Sequence, residues 1–166
     1  MNPSLRTSFY ILPAEALVGD GVSFRPIRTE ADLAYAIFDC QLTREQWEFV
    51  NPAGFSIGRA YLYPEDHYPC LIVNKEDQPV GFIDLDLWRG KGTAFHWSYY
   101  IDREQQGRGY GRKAAQLAVQ IFRSIDPNMP IKLSTEANNR KAQTLYLSLG
   151  FRKLDELDGD DLVFGM

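Results

Sequence analysis

The stretch Gln106-Gly107-Arg108-Gly109-Tyr110-Gly111 holds the residue types that point most directly to chemistry. Glycine at 107, 109 and 111 permits backbone conformations closed to other residues, so successive N–H groups can turn inward on an anion. Gly109 to Phe122 carries a helical pattern, and a helix N-terminus adds partial positive charge to such a nest. Arg112 and Lys113 place full charges beside it. Phosphate is the anion this arrangement suits. Spacing excludes two common phosphate motifs. A P-loop needs Gly-Lys-Ser/Thr, whereas Gly111 is followed by Arg112-Lys113-Ala114, with no hydroxyl for magnesium. A dinucleotide fingerprint starting at Gly107 needs glycine where Arg112 stands, and no βαβ repeat surrounds it.

Asn139 and Tyr146 lie two helical turns apart, about 10.5 Å along the axis, so one elongated ligand can touch both. They sit on a predicted helix capped by Asn138, with Ala142, Leu145, Tyr146 and Leu149 on one face. The plainer alternatives are a core tyrosine with a satisfied hydroxyl and an asparagine that only caps. Asp84 and Asp86 alternate with Ile83, Leu85 and Leu87, so both carboxylates project opposite the aliphatic side chains. Their alternative is a solvated sheet face.

Gln106, Gly109 and Gly111 satisfy Gln/Arg-x-x-Gly-x-Gly/Ala, and Asn139 to Phe151 reads N-x-x-A-x-x-L-Y-x-x-x-G-F at every defining position. In order, and separated by one strand, the two motifs resemble the acetyl-CoA loop and following helix of the GNAT N-acetyltransferase superfamily. The likeness spans Val22 to Phe164 in element order and is residue-specific over the last third of the chain. It implies acetyl-CoA as co-substrate and no metal. The pyrophosphate would rest on the amides of Gln106, Gly107, Arg108, Gly109, Tyr110 and Gly111, with Arg112 beside them. The pantetheine would pair like an added strand with Tyr99 and Ile101, and an amide near Tyr100 or Ile101 would polarise the acetyl carbonyl. Asn139 and Tyr146 would touch the co-substrate, and Tyr146 would protonate the leaving thiolate. Transfer would be direct, so Cys40 and Cys70 are expected to be buried packing residues.

An aliphatic ammonium resembles lysine, with a pKa near ~10.4, so a carboxylate, or a water relayed by one, should accept its proton before attack. Asp84 and Asp86 are the candidates; His67 and His96 read as surface or packing residues. Gln46, Phe49-Val50, Ala60-Tyr61, Pro64, Val80-Gly81-Phe82, Trp97 and Ile101-Asp102 are similar to the spermine/spermidine acetyltransferase branch. Asp39, Glu45, Glu48, Glu65, Asp66, Asp84 and Asp86 with Trp47, Tyr61, Trp88, Trp97 and Tyr99 would line a groove for a polycation. The competing readings are acetylation of a protein N-terminus or lysine, of an amino acid or of an aminoglycoside. A catalytically silent acyl-CoA sensor is the alternative outside enzymes. The resemblance leaves a homodimer open.

Composition bounds these readings. At 166 residues, with 45% hydrophobic and 24% charged residues, the chain suits one globular domain. A net charge of −4 disfavours nucleic acid as partner. Two cysteines without metal or redox spacing, and no signal-like or membrane-length apolar run, make a reducing cytoplasm the expected compartment, away from membranes.

The elements that must position these residues are legible from periodicity. Residues 1–21 read as an N-terminal arm and 22–166 as the domain. Val22–Arg28 alternates as an edge strand; Thr29 caps a helix through Cys40, and Thr43 with Gln46 forms a capping box. Asn51-Pro52-Ala53-Gly54 is expected to break the chain before a short helix over Ser56–Leu62. A meander follows: Pro69–Val73, Val80–Leu87 and, after Arg89-Gly90-Lys91-Gly92, Ala94–Ile101. Then come the helix after Gly109, a strand Ile131–Thr135, the helix stopped by Gly150, and a hairpin about Asp158-Gly159-Asp160. The expected fold class is α+β: a mixed, mostly antiparallel sheet flanked by helices, with the co-substrate between Ala94–Ile101 and Ile131–Thr135 where they part.

Overall fold

A computed structural model of the chain describes residues 12–87 and 94–166. In order come β1 (Ser23–Pro26), α1 (Glu30–Ala34) running into a π-helical turn at Tyr35–Asp39, a 3₁₀ turn (Gln46–Phe49), and α2 (Ala53–Leu62). Then follow β2 (His67–Val73), β3 (Pro79–Asp86), β4 (His96–Ile101), α3 (Tyr110–Ile125), β5 (Lys132–Thr135), α4 (Arg140–Ser148), β6 (Arg152–Asp158) and β7 (Asp161–Gly165). β1 to β4 form an antiparallel meander, and β5, β7 and β6 a second antiparallel sheet in that spatial order. One parallel bridge, Phe95 to Ile131, joins the two. There the Phe95 N–H donates to the Pro130 carbonyl at 2.7 Å and the Lys132 N–H to the Phe95 carbonyl at 2.9 Å. The fold is the expected mixed, mostly antiparallel sheet with helices packed on it. The expected turn at 89–92 lies outside the described residues.

Caps explain most helix starts. Thr29 Oγ1 accepts the Asp32 N–H at 3.1 Å. The Thr43 and Gln46 side chains each accept the other residue's N–H, completing the capping box, yet only one 3₁₀ turn follows. α2 differs from expectation: it begins at Ala53, straight after Pro52, and runs through Gly54 and Gly58. Each glycine costs a helix about 1 kcal/mol. Burial of Ala53, Ser56 and Ala60 offsets this, and Tyr100 Oη accepts the Ala53 N–H at 3.2 Å. α4 also departs from expectation. Its cap is Asn139, not Asn138, because Asn139 Oδ1 accepts the Ala142 N–H at 3.2 Å.

The meander carries core on both faces. On one, α3 buries Ala114, Leu117, Ala118, Ile121 and Phe122, the last stacked 4.8 Å from Phe95. On the other, Ala36, Cys40, Leu42 and Ala53 cover Leu71, Val73, Phe82 and Tyr100. Fully burying a large aliphatic or aromatic side chain contributes about 2 kcal/mol, so both faces are held firmly. The described part of the arm belongs to this core, since Leu12 and Leu17 are buried in the α3-side cluster. Among the described residues no helix is long and apolar enough to cross a membrane.

Candidate active site

Beyond the Phe95–Ile131 bridge no ladder joins β4 to β5, and a cleft of about 400 Å³ opens between them. Its walls include Tyr99, Tyr100 and Ile101 from β4, Ser134 and Thr135 from β5, and Asn139 and Tyr146 from α4. Its floor is the glycine loop. The ladder decides which β4 backbone groups reach it. The Asp102 N–H donates to Val80 O at 2.9 Å, so Val80 and Asp102 are a hydrogen-bonded pair, and by alternation so are Phe82 and Tyr100. Tyr99 and Ile101 therefore turn their N–H and C=O groups to the open edge, whereas the Tyr100 amide points into the ladder. Of the two positions expected to polarise a carbonyl, the geometry leaves Ile101. The Ile101 carbonyl already accepts Gln106 Nε2 at 2.9 Å.

Gly107 and Gly109 have φ of 78° and 84°, the left-handed region that glycine enters without strain. A Cβ at either would meet nothing within 4 Å, so the loop backbone is open. Gly109 caps α3 and the first helical bond is Lys113 N–H to Gly109 O at 3.2 Å, which leaves the Tyr110, Gly111 and Arg112 amides pointing out of the helix. Those three residues line the cleft. Tyr99 Oη donates to Gly111 O at 3.1 Å and ties the loop to β4. Of the two charges expected beside the loop, Arg112 lines the cleft and Lys113 lies elsewhere, as does the Arg108 side chain. Arg108 is exposed, reaching Glu104 O at 3.5 Å, and Lys113 Nζ covers Gly21.

Tyr146 lines the cleft at 9% exposure, its ring 6.4 Å from that of Trp97 and 5.7 Å from that of Phe164. Burial pushes its phenol up to about 12, with the Trp97 indole pulling weakly the other way. It therefore holds its proton at neutral pH. Asn139 also faces the cleft, but its Oδ1 is spent on the cap, so its amide is the part left for a ligand. Gln46, expected as part of a capping box and of the likeness to the polyamine branch, and Lys141, which had no expected role, also line the cleft.

A model of the acetyltransferase (GNAT) family matches residues 35–151. The chain belongs to the acetyltransferase (GNAT) family. No curated protein sequence matches it. The GNAT fold is shared with solved structures at low identity. The spermidine N-acetyltransferase from Vibrio cholerae, in complex with CoA and spermine, is 18% identical with a TM-score of 0.68, over 88% of this chain and 94% of that one. An acetyltransferase from Agrobacterium tumefaciens is 16% identical, TM-score 0.67, over 90% and 92%. RimJ from Mycobacterium smegmatis, in complex with CoA-disulfide, is 19% identical, TM-score 0.66, over 87% and 81%.

Asp84 and Asp86 lie outside the glycine-loop cleft of this GNAT domain. They are 3% and 2% exposed, not on a solvated face, because β2 and β3 are covered on both sides. His67, passed over in the sequence, sits between them. Its Nδ1 lies 2.8 Å from Asp84 Oδ2 and its Nε2 3.8 Å from Asp86 Oδ2, with Arg59 3.7 Å from the same oxygen. Asp86 and Arg59 line a second cavity of about 430 Å³ with His96, Lys132, Glu156 and Asp158. Ser134 lines both cavities. The expected acidic and aromatic groove is not assembled as one surface. Trp97 packs on Phe122 of α3, on the face opposite Asp84 and Asp86, and Trp88 is outside the described residues. Cys40 and Cys70 are unpaired and buried, as expected, and burial pushes the Cys40 thiol up to about 12 and the Cys70 thiol up further.

Proposed function

We propose that this acetyltransferase takes acetyl-CoA in the cleft between β4 and β5 and passes the acetyl group directly to a primary amine. The observation carrying the proposal is the convergence on one cleft of outward-pointing loop amides, an open β4 edge and Tyr146. The residues fit the co-substrate. The Tyr110, Gly111 and Arg112 amides with the Arg112 guanidinium hold the pyrophosphate, the outward N–H and C=O of Tyr99 pair with the pantetheine, and the Asn139 amide adds a contact. Bound acetyl-CoA supplies an activated thioester. The Ile101 N–H polarises its carbonyl, and Tyr146 donates its phenolic proton towards the departing sulfur.

The amine must lose a proton before it attacks. With a pKa near ~10.4, holding it neutral at pH 7 costs about 4.6 kcal/mol unless a base takes the proton. Asp86, at the second cavity, is our candidate base, with Asp84 behind it. The acceptor enters there, opposite the co-substrate, and the shared Ser134 marks where the two compartments meet.

A polyamine is the leading acceptor. The net charge of −4, the carboxylates Asp86, Glu156 and Asp158 at the second cavity, and the shared fold with a spermidine N-acetyltransferase support it. Arg59 and Lys132 in that cavity favour a second reading, an acceptor that also carries a carboxylate, such as an amino acid or peptide N-terminus. The unpaired, buried cysteines support a reducing cytoplasm as the compartment. The deciding experiment follows acetyl-CoA consumption with spermidine, spermine, putrescine, free amino acids, lysine peptides and an aminoglycoside, for wild type and Tyr146→Phe. Spermidine turnover that drops about 10²- to 10³-fold in the variant supports acceptor and acid together. Turnover with amino acids alone overturns the polyamine assignment, and binding of CoA without any acetylation overturns the enzyme.

A further inference from the structure

We infer that Asp84, His67 and Asp86 form a buried proton relay, entered at Asp86 from the second cavity, with His67 as the group that holds the acceptor's proton. This rests on the N-acetyltransferase reading above and adds a residue to it. β2 and β3 create the juxtaposition, because their register sets His67 directly opposite Asp86 and Pro69 opposite Asp84. Side chains of directly opposed and diagonal partners share a face, so the imidazole stands between the two carboxylates. His67, Asp84 and Asp86 are at most 3% exposed.

A cluster of this kind is costly as mere structure. Burying two carboxylates carries a desolvation penalty that an apolar replacement avoids. Among the described residues, Asp84 Oδ1 is buried with no hydrogen-bond partner, a group that calls for an explanation. The two ring nitrogens face different carboxylates, so the three side chains do not converge on one metal ion.

The distances set the proton's position. Nδ1 lies within hydrogen-bond reach of Asp84 Oδ2 at 2.8 Å; a proton placed on Nδ1 donates to that carboxylate and leaves the Nε2 lone pair facing Asp86 Oδ2 at 3.8 Å. An ammonium in the second cavity gives a proton to Asp86, which hands it to Nε2 once the 3.8 Å gap between them closes to hydrogen-bonding distance. This leaves a neutral amine, an Asp86 carboxylate and an imidazolium stabilised by Asp84. The amine nitrogen then bonds to the acetyl carbon as the carbon–sulfur bond breaks, and its second proton replaces the one Tyr146 gives to sulfur. Besides Asp84 and Asp86 on β3, charged or titratable neighbours among the described residues include Arg59 on α2, His96 on β4, Cys70 on β2 and, beyond Cys70, Arg28. His67 and Asp84 are positioning residues; Asp86 alone touches the acceptor.

The test has two arms. His67 and His96 are the chain's two histidines, so ring nitrogen-15 NMR of the whole protein resolves each. The relay requires His67 to carry its proton on Nδ1 and a free lone pair on Nε2 near neutral pH, and Asp84→Asn to abolish that preference. A proton fixed on Nε2, or a doubly protonated ring unchanged from about pH 6 to 10, overturns the relay whatever the acceptor is. In the kinetic arm, His67→Gln and Asp84→Asn, checked by thermal melting, lower kcat at least about 10-fold, shift the acid limb of its pH profile, and leave KM for the amine within about twofold. Should His67→Gln fail to fold, the isosteric Asp84→Asn carries this arm. A His67→Gln enzyme at wild-type kcat beside an inactive Asp86→Asn overturns the relay and keeps the base. Wild-type kcat in Asp86→Asn overturns both. Absence of turnover with every amine removes the acetyltransferase reading, and the NMR arm still decides the relay.

Discussion

Gln46 and Gln106, 60 positions apart, exchange side-chain hydrogen bonds: Gln46 Nε2 donates to Gln106 Oε1 at 2.9 Å and Gln106 Nε2 returns the bond at 3.1 Å. The same Gln106 Nε2 also donates to the Ile101 carbonyl. One side chain thereby fastens the glycine loop to the end of β4 and to the 3₁₀ turn that walls the cleft. The first position of the loop motif is thus a clamp and not a phosphate ligand by its side chain. Gln106→Ala removes the bonds to both partners and is expected to raise KM for acetyl-CoA about 10-fold while kcat falls less than about threefold, as measured by steady-state kinetics. A kcat loss with unchanged KM would mean that Gln106 acts on the chemistry.

Gly109 gives a sharper contrast. Its φ of 84° is strained for any residue with a Cβ, although the space beside it is open. Gly109→Ala is expected to cost about 1–2 kcal/mol, lowering Tm by about 2–8 °C, and to weaken CoA binding because relief of the strain turns the α3 amides away. Gly111 has ordinary helical geometry, with Tyr99 Oη 3.6 Å from an added Cβ. Gly111→Ala therefore leaves Tm within about 2 °C. Calorimetric titration of CoA into both variants separates the two roles, and equal losses would contradict the backbone argument.

These positions also show where the sequence speaks and where it falls silent. The loop and the Asn139–Phe151 helix were legible because both are local: turn glycines, a cap and a helical period lie within a few residues of one another. The meander followed from alternation, and the parting of β4 from β5 from what the resemblance to the GNAT superfamily implies. The errors arise where distant segments meet. α2 starts early because a Tyr100 hydroxyl from another strand caps it. For Asp84 and Asp86 the alternative to a base, a solvated sheet face, stayed open because alternation reveals two faces but not that both are covered. His67 was passed over because counting outward from the Asn74–Gln78 turn pairs it with Leu85, whereas a bulge between Ile72 and Val73 shifts the register by one and sets it opposite Asp86. A polar residue opening an otherwise apolar strand was the available signal.

The cysteines offer a test of direct transfer. Burial raises the Cys40 thiol to about 12, so the reactive thiolate is scarce at pH 8, and Cys70, equally buried, is shifted upward as well. Native protein is expected to resist iodoacetamide at both cysteines and keep its activity, whereas urea-unfolded protein labels at both. Mass spectrometry counts the adducts. Rapid native labelling of either residue with parallel loss of activity would restore the possibility of an acyl-enzyme.

The tyrosines set the alkaline limit. Tyr146 is raised to about 12 by burial, and burial shifts Tyr35, Tyr99 and Tyr100 upward as well. In the unfolded chain each ionises near ~10, so above that pH the unfolded state binds fewer protons than the folded one. The phenols' stability, held in full below about pH 10, is consequently lost as pH climbs towards 12, with a slope of about 1.4 kcal/mol per pH unit for each buried phenol. Urea midpoints measured at pH 8, 10 and 11 should fall over the first interval, where the thiols of Cys40 and Cys70 ionise in the unfolded chain from about pH 8.5, and more steeply over the second, where the phenols join them. Tyr146→Phe removes one phenol and should flatten the second interval by about that slope, and an unchanged slope would place the Tyr146 hydroxyl in solvent instead of the cleft wall. The acid role draws on the same shift. A phenol this reluctant to ionise keeps its proton through pH 10, so wild-type kcat should show no alkaline limb from Tyr146 below that pH, and a decline centred near pH 9 would assign the acid to another group.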